Sequence, residues 1–146
     1  MAETADAYTV PAPDEVTAPW WDATRERRLV VQQCSDCGRL QHYPRALCTA
    51  CGKTSLVFTG VTGRGSVDTF TVTYRAPRPE VEVPYVVARV RLYEGPVLLS
   101  AIVGCAPEAV VCDMPVVVDW RPLPDGRALP VFRPAPHPEP RPDLPM

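Results

Sequence analysis

Residues 34 to 52, CSDCGRLQHYPRALCTACG, carry two Cys-x-x-Cys-Gly units separated by a ten-residue gap from Gly38 to Leu47. Thiolate-bound zinc takes a tetrahedron with Zn–S of about 2.3 Å, and two such turns supply two of its edges. Cys34 with Cys37 forms one edge and Cys48 with Cys51 the other. The residue after the second cysteine of a tight knuckle needs positive φ, which glycine adopts without steric penalty, and Gly38 and Gly52 stand there. The gap is shorter than the common spacing of about 15–20 residues, yet long enough for a strand out and a return. Four sulfurs leave no position for water or substrate, so the expected ion, one Zn2+ per chain, is structural. Iron shares tetrahedral sulfur ligation and stays open as an alternative, as do disulfides or plain buried thiols. Arg39, Arg45 and Lys53 surround the cluster and offset the negative charge of a tetrathiolate site. His42, between the pairs, reads as a strand residue or a contact behind the ligands.

Beyond this cluster the sequence is chemically quiet. Cys105 and Cys112 lack the glycine pattern and read as small apolar fillers. His137 is the other histidine and falls in a proline-rich tail. There is no Gly-x-Ser-x-Gly, phosphate-loop or dinucleotide fingerprint, and GVTGRGS (60–66) lies between strands, where a bulge or tight turn is the expected use. Asp68, Glu94 and Asp119 are scattered over strand and turn positions. No catalytic residue is assigned, which favours a binding or scaffolding subunit over an independent enzyme.

The elements that would position the cluster follow from periodicity and punctuation. A short helix is expected from Asp14 or Thr17 to about Arg28, with Thr17 as a cap and Pro19 in the first turn. Trp20 and Trp21 would point about 100° apart on it, one inward and one awaiting a partner. LVVQQC (29–34) predicts a strand into the first knuckle and RLQHYP a return strand. Six further strands follow: 55–61, 66–75, 85–93, 97–103, 115–120 and 128–133. In 66–74, Val67, Thr69, Thr71 and Thr73 share one face; in 85–93, Val86, Ala88, Val90 and Leu92 share the inward one. The fold class is therefore mainly β: an N-terminal helix and zinc ribbon over 14–54, then a small OB-type β-barrel over 55–133. Residues 1–13 and the proline-rich 134–146 are expected to be disordered. Fifteen basic residues, all but Lys53 arginine, stand against seventeen acidic ones, without the basic footprint of a nucleic-acid binder. No apolar run approaches the ~20 residues of a membrane span and the acidic start lacks a secretion signal, so a cytoplasmic location is expected.

The order of motifs resembles a known family, the acyl-CoA-associated zinc-ribbon plus OB-fold proteins long held as a domain of unknown function. The resemblance runs from about Trp20 to Pro134. It is carried by the double knuckle, Tyr43-Pro44-Arg45, Gly63-Arg64-Gly65-Ser66-Val67, Pro84-Tyr85, Glu94-Gly95 and Leu129-Pro130-Val131-Phe132. The family usually has glycine before Met-Pro-Val, where this chain has Asp113, a departure that bears on turn geometry. The resemblance implies a non-catalytic subunit that binds a thiolase-like enzyme in a hetero-oligomer, two of each being one arrangement. It would complete an acyl-CoA site at or near the interface for thiolysis, retro-aldol cleavage or acyl transfer, as in steroid side-chain degradation. A hotdog-fold enoyl-CoA hydratase is the alternative partner. A nucleic-acid-binding zinc-ribbon/OB protein, and an electron carrier with iron in the knuckles, are competing functions. Under the leading reading Trp20, Trp21, Tyr43 and Phe58 are candidate partner contacts. The proline-stiffened loop 75–85 would border the acyl-CoA entrance, with Arg64, Arg75, Arg78 and Tyr85 near the CoA.

Overall fold

The computed structural model describes residues 10–136. The expected disordered ends therefore fall in part, at 1–9 and 137–146, outside the described residues. Where described, they are held. Val10 packs on Trp20 and Trp21, Arg127 donates to the Pro11 carbonyl, and the last strand runs through Pro134.

Helix α1 spans Ala18–Arg25. Its entry is built by Asp14 rather than by a Thr17 cap. The Asp14 carboxylate accepts the Val16 and Thr17 N–H groups at 2.9 and 2.8 Å, and the Thr17 hydroxyl accepts the Asp14 N–H at 3.0 Å. This reciprocal pair satisfies donors that a helix start leaves orphaned.

Three strands form the ribbon sheet in the order β2-β1-β3: β1 (Val30–Cys34), β2 (Leu40–Gln41) and β3 (Leu56–Gly60). The expectation that 55–61 opens the barrel is corrected here, because β3 pairs antiparallel along the whole of β1, from Val30 with Gly60 to Cys34 with Leu56. The second knuckle delivers the chain back beside the first strand, and β1 would otherwise keep an unpaired edge.

The barrel holds β4 (Arg64–Thr73), β5 (Tyr85–Leu92), β6 (Val97–Ile102), β7 (Pro115–Pro122) and β8 (Ala128–Pro134), closed in the order β4-β5-β6-β8-β7. A 3-10 turn at Pro107–Ala109 links β6 to β7. β5 alternates as the sequence predicts, with Val86, Ala88, Val90 and Leu92 buried. β4 does not: a bulge between Val67 and Thr69 shifts the register, so Val67 faces the core together with Phe70 and Val72. Gly65 lies just before that bulge, and an added methyl there would run into the Arg91 carbonyl.

One apolar cluster runs from the barrel into the ribbon, since Leu29 and Val31 join Val67, Val90, Leu92 and Phe132. A second cluster, Trp20, Trp21, Ala23 and Val30 with Phe58 and Leu129 against it, fixes α1 to the ribbon and to β8. Thr24 ties the same corner, its hydroxyl donating to the Trp21 carbonyl at 2.6 Å and accepting the Ala128 N–H at 3.2 Å. Among the described residues no helix is long and apolar enough to cross a membrane.

Candidate metal centre and adjoining pocket

The two knuckles are near copies. In each, the glycine N–H donates to the carbonyl of the first cysteine, Gly38 to Cys34 at 2.8 Å and Gly52 to Cys48 at 2.9 Å. In each, the first cysteine N–H donates to the residue after the glycine, Cys34 to Arg39 and Cys48 to Lys53. Gly38 and Gly52 have φ of 78° and 75°, and a Cβ on either would meet nothing within 4 Å. Backbone handedness, not crowding, demands glycine there.

All four sulfurs lie within 4.8 Å of one another. Cys34 Sγ is 3.7 Å from Cys51 Sγ, and Cys37 Sγ is 3.6 Å from Cys48 Sγ. A tetrahedron with metal–sulfur bonds of about 2.3 Å has edges of about 3.8 Å, so the donor set fits one tetrahedral ion and is too open for disulfides, whose S–S is about 2.05 Å. The proton balance agrees. The Cys51 and Ala50 N–H groups pull the Cys48 thiol down to about 6. Cys51 is pushed up to about 11, because burial and the neighbouring sulfurs outweigh the Lys53 N–H bond that pulls it down. Four thiols this close do not all ionise unaided, and a divalent cation is what makes the set stable as thiolates.

The connection between the knuckles is held by two buried glutamines that the sequence reading did not single out. Gln32 on β1 accepts the Arg45 N–H at 2.8 Å and donates to the Arg45 carbonyl at 2.9 Å. Gln41 on β2 donates to Gln32 at 2.8 Å and to the Leu47 carbonyl at 3.2 Å, and accepts the Thr49 N–H at 2.9 Å. The loop that brings Cys48 and Cys51 to the site is thereby pinned to the strands that bring Cys34. Polar residues on a buried face of consecutive strands were the available signal.

His42 ligates nothing. Its ring lies 5.9 Å from Trp20 and 4.3 Å from Tyr43, and burial pulls its pKa down to about 4, so it is neutral. It lines a pocket of about 360 Å³ with Trp20, Trp21, Tyr43, Leu99 and Pro130. The pocket has a topological cause. β6 and β8 run parallel and pair only at Ile102 with Phe132, so the barrel seam opens toward Leu98 and Pro130, and α1 and the His42–Pro44 loop close over it. Ser100 spans the opening, donating to the Pro130 carbonyl at 2.8 Å.

Of the four candidate partner contacts, the tryptophans are not protruding anchors. Trp20 and Trp21 are 9% and 7% exposed and meet edge to face at 4.8 Å, so neither waits outside. Arg127 lies over the Trp21 ring at 4.6 Å and pairs with Asp125 at 2.7 Å. Phe58 packs against the same cluster, and Tyr43 stands at the pocket rim, 48% exposed. The Tyr43 hydroxyl accepts the N–H of Leu99, itself 59% exposed.

The four candidate CoA-proximal residues divide. Arg64 begins β4, opposite the end of β5, whereas Tyr85 begins β5 opposite Thr73, with Arg75 and Arg78 in the loop between. About eight rungs of strand, roughly 27 Å, separate the two ends, so they form no single cluster. Cys105 packs on the core as a filler, but Cys112 is exposed and is not one.

Comparison with known proteins gives a consistent result. Residues 21–57 match the family model described as the ChsH2 rubredoxin-like zinc ribbon domain, and residues 59–121 match the ChsH2 C-terminal OB-fold domain. A Thermomonospora curvata protein named probable enoyl-CoA hydratase alpha subunit is 42% identical over 86% of this chain, which spans 39% of that relative's length. A Methanocaldococcus jannaschii DUF35 domain-containing scaffold protein is 33% identical over 74% of this chain and 79% of its own. Among solved structures, one titled Ltp2-ChsH2(DUF35) aldolase superposes with a TM-score of 0.79 at 41% identity, covering 86% of this chain and 98% of that one.

Proposed function

Because the chain belongs to the ChsH2 (DUF35) family of zinc-ribbon plus OB-fold proteins, we propose that it is an accessory subunit of an acyl-CoA enzyme complex whose reactive groups lie on a partner chain. The observation that carries the reading is the pairing of a closed four-sulfur centre with an apolar pocket in the β6–β8 seam, rimmed by exposed Tyr43 and Leu99. The ion is zinc and structural: with sulfur in all four positions it supplies no Lewis-acid site. It braces the His42–Pro44 loop against the barrel. The Tyr43–Leu99 rim, with the tryptophans as its floor, is the docking face. Its aromatic and aliphatic character, with few charges, is that of an interface core.

The partner is of thiolase type, and the reaction it performs is thiolysis or retro-aldol cleavage of an acyl-CoA. The aldolase title of the structural neighbour supports this reading. Arg75, Arg78 and Tyr85, at the far end of β5, are the candidates to border the acyl-CoA entrance. A hydratase partner is the second reading, favoured by the name of the Thermomonospora relative. Co-expression with candidate enzymes decides between them. The chain should co-elute on gel filtration with a thiolase-like enzyme, and cleavage activity should appear in the complex and in neither chain alone. Co-elution with a hotdog-fold hydratase instead would select the second reading. Turnover of an acyl-CoA by the isolated chain would overturn both.

A further inference from the structure

The pocket beside the metal centre, of about 360 Å³, is lined by two nitrogen-bearing rings whose hydrogen-bonding capacity the chain does not use. The indole N–H of Trp20, on the floor, is buried and has no hydrogen-bond partner. His42, on the wall, touches Trp20 and Tyr43 through its ring but makes no hydrogen bond among the described residues. The Trp20 and His42 rings stand 5.9 Å apart, so both belong to the same part of the cavity. A buried donor without an acceptor is destabilising, and one kept beside an open cavity has room for an acceptor from outside the chain.

The rest of the lining decides what that acceptor is. Leu98, Leu99, Leu129 and Pro130 make the seam side apolar. The other polar groups already have partners: the Tyr43 hydroxyl accepts the Leu99 N–H at 3.0 Å, and the Thr17 hydroxyl donates to the Asp14 carboxylate at 3.0 Å. No lysine or arginine lines the cavity, and Arg127, over the Trp21 ring, is engaged by Asp125 and by the Pro11 carbonyl. The charge on the lining is that of Asp14, whose carboxyl the Thr17 N–H holds below its usual range, since burial keeps His42 neutral. An anion entering here would lose water, gain no cation and face a like charge. An uncharged oxygen acceptor meets none of these costs. Cavities of about 300–1,000 Å³, apolar with a few polar groups that fix orientation, are those that hold small molecules.

We propose that this cavity binds a small, uncharged and largely apolar molecule carrying a carbonyl group, whose oxygen accepts a hydrogen bond from the His42 ring above the Trp20–Trp21 floor. The second lone pair of that oxygen is available to the Trp20 N–H. The apolar walls supply the affinity and His42 sets the orientation. The inference goes beyond the accessory-subunit reading and rests on the cavity of this chain alone.

The test is titration of the full-length, zinc-loaded chain at neutral pH, followed through its indole N–H and imidazole ring-proton signals. Adamantanone and adamantanecarboxylate are the probes, matched in their apolar cage and different in charge. Adamantanone should saturate, shifting the Trp20, Trp21 and His42 signals and leaving in place that of Trp120, which packs on the barrel core. The carboxylate should bind at least about tenfold more weakly. His42→Phe, which keeps an apolar ring and loses the donor, should weaken adamantanone binding about fivefold, and His42→Gln, which retains an N–H donor, should recover most of that loss. The ranking of the two probes on the parent chain needs no variant, so a substitution that disturbs the loop leaves the test standing. Absence of saturation would overturn the proposal and leave the cavity to a side chain of the docked enzyme. Carboxylate binding as tight as that of the ketone, or adamantanone affinity unchanged in His42→Phe, would overturn it as well. None of these outcomes alters co-elution with an enzyme partner, which tests the accessory-subunit reading separately.

Discussion

Asp113 stands at φ of 66°, a conformation that L residues other than glycine, asparagine and aspartate rarely take. Its N–H donates to the Val67 carbonyl at 2.7 Å, next to the bulge that turns Val67 into the core, so the chain has no freedom to relax there. The departure noted in the sequence, aspartate where the family usually has glycine, falls on a position whose handedness favours glycine. Asp113→Gly should therefore stabilise the chain by about 0.5–1 kcal/mol, a rise in melting temperature of about 3 °C for the zinc-loaded protein. An unchanged or lower melting temperature would mean that the aspartate side chain contributes more than its backbone costs. At this scale the sequence is most legible where chemistry and spacing coincide, as at Cys34, Cys37, Cys48, Cys51, Gly38 and Gly52. It is least legible for residues such as Arg127, whose stacking on Trp21 and bond to Pro11 join parts of the chain more than a hundred residues apart.

Among the elements, the ribbon depends on its ion in a way the barrel does not. β2 is two residues long, and the loop 42–49 is held to it by Gln32 and Gln41 and by the second knuckle. Ordering these short pieces costs about 1–2 kcal/mol per residue, which a three-stranded sheet of this size recovers only in part by burial. Chelation should release about one zinc per chain and loosen the ribbon sheet while the barrel persists. Amides of β1 to β3 should lose hydrogen-exchange protection and those of β5 keep theirs. Emission from Trp20 and Trp21 should shift to the red, because both pack on Val30 and Phe58 of that sheet, whereas Trp120 packs on the barrel core. Retained protection in β1 and β3 after complete removal would contradict a metal-braced ribbon. Strand periodicity locates each of these elements, and the inward face of β5, Val86, Ala88, Val90 and Leu92, is legible in the sequence. The sheet to which β3 belongs was not readable, because an isolated β-branched run has no local signal for its pairing partner. The β4 bulge was hidden for a related reason: an inserted residue leaves the composition of a strand unchanged while reversing its faces.

Over the whole molecule, ribbon and barrel are joined along one corner, and the apolar pocket is what that junction leaves open. Leu29 and Val31 enter the barrel core, Thr24 and Arg127 fasten the helix to the β7–β8 hairpin, and the Tyr43–Leu99 bond closes the far side. None of this is local in sequence, so the pocket could not be read from the chain, even though Trp20, Trp21 and Tyr43 were singled out individually. The geometry makes Leu99 the most informative residue for partner binding. It is 59% exposed, so an aspartate there loses little packing and should change stability by no more than about 0.5 kcal/mol. In a docked complex the same aspartate would be an unpaired charge removed from water, at a cost of several kcal/mol. Leu99→Asp should thus weaken association with the enzyme partner by at least about a hundredfold while the melting temperature stays near that of the parent chain. Val111, 56% exposed on the β6–β7 connection and outside the pocket lining, supplies the control: Val111→Asp should bind as the parent does. Equal association by both variants would remove the Tyr43–Leu99 rim as the docking face and leave the family assignment standing, whereas a loss in Val111→Asp alone would move the interface to the β6–β7 side of the barrel.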